Sequence, residues 1–77
     1  MRIWFDAFAA RLVGERQWHP SQTIRQLRDG EIELSMTLGG LEEVERWILS
    51  WGEHARVLEP AALKRQIHRV AELILKS

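Results

Sequence analysis

Residues 32–38 alternate without a break. Ile32, Leu34, Met36 and Leu38 are apolar, and Glu33, Ser35 and Thr37 between them are polar. Successive side chains of a strand point to opposite faces, so this run predicts a strand with one buried and one wet face. Such a strand needs neighbours in its sheet and a cover over its apolar side. The cover has to come from a chain of 77 residues, which is one domain. A core of that size leaves only a few kcal/mol of net stability, and a neighbouring domain or second copy covering part of the surface would add to it.

Before the alternating run comes a turn, Arg28-Asp29-Gly30, and before that a β-prone stretch, residues 22–27. A two-residue Asp-Gly loop would pair Leu27 with Ile32 and put Ile24 on the wet face. A three-residue loop, a type I turn closed by a left-handed Gly30, pairs Ile24 with Leu34 instead. The second register is expected, because it buries the mid-strand Ile24 and leaves Leu27 at the tip.

Residues 2–5 (Arg-Ile-Trp-Phe) read as a first strand, with Ile3 and Phe5 on one face and Arg2 and Trp4 on the other. Asp6 is placed to cap a helix over residues 7–13, where Phe8 and Leu12 share a side and Gly14 ends the element. After Gly39-Gly40 an amphipathic helix is predicted over 41–50. Leu41, Val44, Ile48 and Trp51 form its stripe, Trp47 widens it, and two early glutamates suit the positive end of its dipole. Gly52 ends it, residues 55–58 form a last strand, and Pro60 sits in the first turn of a helix over 60–75. Leu63, Ile67, Val70, Ala71 and Ile74 make that helix's apolar stripe.

The order β-α-β-β-α-β-α predicts an α+β domain, ferredoxin-like in its first six elements, with an additional C-terminal helix. The sheet face away from the first two helices is expected to show Arg2, Trp4, Thr23, Arg25, Glu33, Ser35 and Thr37. The last helix could cover that face, pack beside the sheet or reach another chain.

No cysteine is present, which removes disulfides, thiolate nucleophiles and Cys-based zinc sites and fits a reducing compartment. His19, His54 and His68 show no paired ligand spacing, so no metal is expected. No serine lies in a nucleophile motif, and Glu42, Glu43 and Glu45 read as a solvated helix face rather than acid–base pairs. No catalytic constellation is found. The net charge is zero, which argues against a dedicated nucleic-acid binder. The charge is nevertheless segregated. Residues 29–45 carry six acids and no base, while residues 1–28 and 60–77 are each basic by three. Such polarity can orient a contact between chains, and it is also what solvated faces look like. Two candidate interaction surfaces follow: the open sheet face with Arg2, Trp4 and Arg25, and the basic flank of the last helix with Lys64, Arg65 and Arg69.

Arg-Gln-Trp-His-Pro-Ser-Gln at 16–22, Asp29-Gly30, the alternating strand, Trp-Ile-Leu-Ser-Trp-Gly at 47–52 and Val-Leu-Glu-Pro at 57–60 together form a recognisable series. In this order and spacing they resemble the C-terminal extension, or WCX domain, of WYL-domain transcriptional regulators. The resemblance covers nearly the whole chain. It implies that residues 1–77 are one WCX-like domain of a longer bacterial, cytoplasmic regulator, with a DNA-binding helix-turn-helix and a ligand-sensing WYL domain upstream. It implies a non-enzymatic role in dimerisation and in forming or gating an effector site, and Met1 then reads as a truncated start. DNA would be bound only through the missing N-terminal domain. No cofactor and no membrane partner are implied; the partners are a second copy or the chain's own WYL domain. The positions that match the family pattern are scaffold: Trp18, Pro20, Gln22, Asp29, Gly30, Trp47, Trp51, Gly52 and Pro60. A reading from another class is a standalone ferredoxin-like module that binds a ligand or single-stranded nucleic acid across the face around Trp4 and Arg25.

Overall fold

The computed structural model describes residues 1–37 and 42–77. The elements are β1 (Arg2–Phe5), α1 (Ala7–Val13), β2 (Thr23–Gln26), β3 (Ile32–Ser35), α2 (Glu42–Leu49), β4 (Ala55–Glu59) and α3 (Ala61–Leu75). The four strands form one antiparallel sheet in the order β2-β3-β1-β4. Strand β3 lies between β1 and β2, which makes β1-α1-β2 a split crossover. The α+β, ferredoxin-like class with an extra C-terminal helix is therefore the observed one.

The core lies between one sheet face and the helices. Ile3, Phe5, Ile32, Leu34, Met36 and Val57 meet Ala9, Ala10 and Val13 of α1, Val44 and Ile48 of α2, and Leu63 of α3. Helix α1 starts where Asp6 accepts a hydrogen bond from the Ala9 N–H at 3.0 Å. Its buried side is the small one, Ala9, Ala10 and Val13, which lets the helix lie close on the sheet. Phe8 and Leu12, the pair the spacing singled out, stay 61% and 50% exposed.

The hairpin takes the three-residue loop, with Ile24 opposite Leu34. Its turn differs from the expected type I with a left-handed Gly30. Asp29 is left-handed as well (φ 56°), beside Gly30 at φ 81°. Aspartate tolerates that region better than most residues. At Gly30 a Cβ would also sit 3.3 Å from the Ala7 Cβ, so the hairpin tip is tucked against the start of α1.

Strand β3 is bounded at Ser35, short of the expected end at residue 38. Met36 is held instead by hydrogen bonds with Met1, in which each residue's nitrogen donates to the other's carbonyl oxygen at 3.0 Å. Leu38, Gly39, Gly40 and Leu41 lie outside the described residues, and with them the expected glycine release and the first residue of the α2 stripe. Strand β2 is one residue shorter at each end than expected; at its start the Gln22 side chain serves the preceding loop.

Gly52, at φ 59°, leads from α2 through a short turn, Gly52–His54, into β4. The register slips between Ile3–Val57 and Arg2–Glu59, leaving Leu58 as a bulge without a partner. Pro60 precedes α3 as its N-cap rather than lying inside the first turn, and its carbonyl accepts from the N–H groups of Leu63 and Lys64, both at 3.1 Å.

Helix α3 packs beside β4 and against α2, on the side of the sheet that carries the core. Of its expected stripe, Leu63 is fully buried, and Ile67 and Val70 are half-buried. Ala71 is exposed and Ile74 is 62% exposed. The stripe is continuous, but the domain beneath it ends after about two turns, so the last two turns project with Leu73 and Leu75 also exposed.

Candidate functional site

The open face of the sheet is ordered in rows. The registers set Arg25, Glu33, Trp4 and Arg56 along one row, and Thr23, Ser35, Arg2 and Glu59 along the next. The three residues singled out from sequence, Arg2, Trp4 and Arg25, do share this face. They are not equally free. The Arg2 guanidinium bridges two strands, with Nε 3.0 Å from Glu59 Oε2 and Nη1 3.5 Å from Glu33 Oε1. Trp4 is half-buried: its indole N–H donates to Glu31 Oε1 at 3.0 Å, and the Arg56 guanidinium lies 4.8 Å from its ring centre. Arg25 is exposed opposite Glu33. Thr37 is exposed beyond the end of β3.

Sequence reasoning missed Glu31, Arg56 and Glu59 as partners on this face. Glu31 was reachable, since it lies two residues before Glu33 on the same side of the strand. The ferredoxin-like order sets β4 beside β1, but the register of that pair and its bulge carry no local signal, so Arg56 and Glu59 were not. With three glutamates among three arginines, the face is electrically balanced.

The basic flank of α3 is solvent-facing: Lys64, Arg65 and Arg69 are all exposed. No ion pair joins them to an acid among the described residues. Lys64 also borders a cleft of about 390 Å³ between β4 and α3, lined by Ala55, Arg56, Val57, Leu58, Ile67 and His68.

Most of the positions that match the family pattern fall into two groups, while Asp29-Gly30 lies at the hairpin and Pro60 at the start of α3. In the first, Gln22 folds the loop ahead of β2 onto itself. Its Oε1 accepts from the backbone N–H groups of Trp18 and His19, and its Nε2 donates to the Arg16 carbonyl at 3.1 Å. Pro20 has no N–H to satisfy at the crest of this turn. Ser21 Oγ accepts from the Thr37 N–H at 2.9 Å and ties the loop to the chain beyond β3. In the second group, the Trp18 indole donates to the Val13 carbonyl at 2.9 Å and its ring meets Trp47 at 5.0 Å. Trp47 in turn meets Phe5 at 5.7 Å and Trp51 at 6.2 Å, and Trp51 meets Phe5 at 5.8 Å. Edge-to-face contacts of this kind add about 0.5–1.5 kcal/mol each beyond area burial. The Trp51 indole N–H is buried without a partner among the described residues. Gly52 is explained by its angle alone, as a Cβ there would meet nothing within 4 Å.

The histidines are dispersed among three environments. His19 contacts Ser21, and His68 borders the α3 cleft. His54 Nδ1 lies 2.6 Å from Asp6 Oδ2, with the Phe8 ring 4.6 Å from the imidazole. The Ala9 N–H, and after it His54, hold the Asp6 carboxyl below its usual range. This pair was not foreseen, because it joins residues 48 positions apart. Among the described residues no three His, Asp or Glu side chains converge on a possible metal position, and no helix is long and apolar enough to cross a membrane.

Comparison with known proteins gives two findings. The family described as the WCX domain matches residues 1–75. Protein PafC of Mycobacterium tuberculosis, in strains CDC 1551 and H37Rv, is 32% identical over 59 residues, which is 77% of this chain and 19% of that protein. The chain thus spans about a fifth of the length of the curated relatives it matches. With the match running from the first strand to the end of the last helix, the chain belongs to the WCX domain family.

Proposed function

We propose that this domain is the regulatory, non-enzymatic module of a larger WYL-type transcriptional regulator, working in the cytoplasm through contacts with the rest of its assembly. The family match over residues 1–75 carries this reading. The shape of α3 supports the assembly part of it. The apolar line that docks Leu63 and Ile67 onto the core continues into Ile74, with Leu73 beside it, where the domain no longer covers it. Exposed apolar groups concentrated at one projecting helix end are a contact surface waiting for a neighbour. A second copy in a dimer, or the chain's own WYL domain, is the proposed neighbour, and DNA is reached through a separate N-terminal domain. Helping to form or gate an effector site would follow from the same contact.

Light scattering over a concentration series is the test. The 77-residue chain is expected to dimerise, and Ile74→Glu to shift it to monomer without changing its circular dichroism. A strict monomer at high concentration would overturn self-association by this module and leave docking onto the WYL domain.

Binding of single-stranded nucleic acid across the sheet face is the second reading, resting on Trp4. Base stacking on that ring is physically reasonable, but Glu31, Glu33 and Glu59 oppose the phosphates that would come with it. A salt-dependent gel shift lost in Trp4→Ala would favour it.

A further inference from the structure

The cleft between β4 and α3 is the one part of the described surface that combines an open strand edge, an apolar floor and charge of one sign. Strand β4 is the last in the sheet and pairs only with β1. The Asp6 N–H donates to the His54 carbonyl at 3.1 Å, which makes Asp6–His54 a hydrogen-bonded pair of the extended ladder. Antiparallel pairing alternates. Arg56 therefore turns its backbone groups to β1, and Ala55 and Val57 turn theirs outward. Ala55 and Val57 line the cleft, whose opposite wall is Lys64, Ile67 and His68 of α3. Leu58 and Ile67 supply apolar surface. Arg56 and Lys64 are basic, and no acid lines the cleft. Arg65 and Arg69 extend the same sign along the helix. The nearest acid in sequence, Glu59, is engaged by Arg2.

We propose that this cleft receives an extended acidic peptide segment, which adds to β4 as a fifth strand with its carboxylates towards Lys64 and His68. Strand addition beside a helix is an established mode of peptide capture. Main-chain bonds supply affinity and alternate side-chain pockets supply selectivity. The bulge at Leu58 ends the usable edge, so the docked stretch is short, pairing with Ala55 and Val57 only. The segment's apolar side chains alternate with its acids and so point to the opposite face of the extended sheet, beside the aliphatic stem of Arg56. The inference concerns a surface distinct from the projecting end of α3 and does not depend on dimerisation.

Nuclear magnetic resonance on the 77-residue chain tests it. The probe is a pool of capped octapeptides with Asp or Glu at alternate positions and mixed apolar residues between them; a pool with Lys at the same positions is the control. The acidic pool is expected to shift the amide signals of Ala55, Val57 and Ile67 and to slow amide exchange at Ala55 and Val57. The lysine pool is expected to leave them unmoved. Lys64→Glu and, separately, His68→Glu, both exposed and outside the core, are expected to weaken binding about tenfold or more, because a like charge then faces the ligand. No shift with the acidic pool, or equal shifts with both pools, overturns the proposal. Hexanoate giving the same shifts as the peptides, with no slowing of exchange, would make the cleft a small-anion pocket and overturn strand addition.

Discussion

Gln22 organises the loop before β2 through one amide group. Its oxygen accepts two backbone N–H groups and its nitrogen donates to a third residue. Gln22→Ala removes all three interactions and is expected to cost about 1–3 kcal/mol in urea unfolding, the usual penalty for leaving partly buried backbone groups unpaired. Gln22→Glu keeps both accepted bonds and loses only the donation to Arg16, so its cost should be smaller than that of Ala. Asp6 sets a different kind of dependence. The Ala9 N–H and then His54 hold its carboxyl below the usual range. Its folded pKa is below its unfolded one, so the unfolded chain binds the proton more readily. The stabilisation is fully present above the unfolded value of about 4 and is lost as pH falls through the folded value. Unfolding midpoints measured from pH 6 down to pH 2 should fall for the natural chain. They should fall less steeply over this range for Asp6→Asn.

At the scale of elements, α3 is divided in its energetics. Leu63 is fully enclosed, and Leu63→Ala should cost about 2–5 kcal/mol, enough to unfold much of so small a domain at room temperature. Ile74 lies on the same line of the helix yet is mostly exposed. Ile74→Ala should change the monomer's unfolding free energy by no more than about 0.5 kcal/mol. Thermal unfolding of the two variants side by side checks this. Periodicity could not separate them: a 3.6-residue stripe records that a face is apolar, not how far the domain beneath it extends. The hairpin was more legible. The alternation of Ile32, Leu34 and Met36 and the position of Ile24 determined its register, since a one-residue slip would have turned every apolar group to water. The turn's second left-handed residue, Asp29, left no comparable mark, because aspartate is common in several turn types.

In the whole molecule, the aromatic cluster joins parts distant in sequence. Trp47 on α2 touches Phe5 of β1, Trp18 of the loop and Trp51 at the exit of α2. Trp47 is half-buried rather than enclosed, so Trp47→Ala is expected near the lower end of the range for aromatic truncation, about 3 kcal/mol, measured by denaturant titration. Trp47→Phe should recover part of that through the remaining ring contacts.

The order of elements, the buried alternation of β3, the Asp6 cap and the membership of Arg2, Trp4 and Arg25 in one face were all determined by the sequence itself. Each depends on spacing along one segment or one hairpin, or on one side chain and the few residues after it. Tertiary structure alone decided that Arg56 reaches Trp4 and Glu59 reaches Arg2, since the register and bulge of the β1–β4 pair are encoded by no local pattern. It also decided the Asp6–His54 contact, the bulge at Leu58 and the point where α3 leaves its domain. All of these are distances between segments far apart in the chain, set by how the core closes, and local residue chemistry does not specify them.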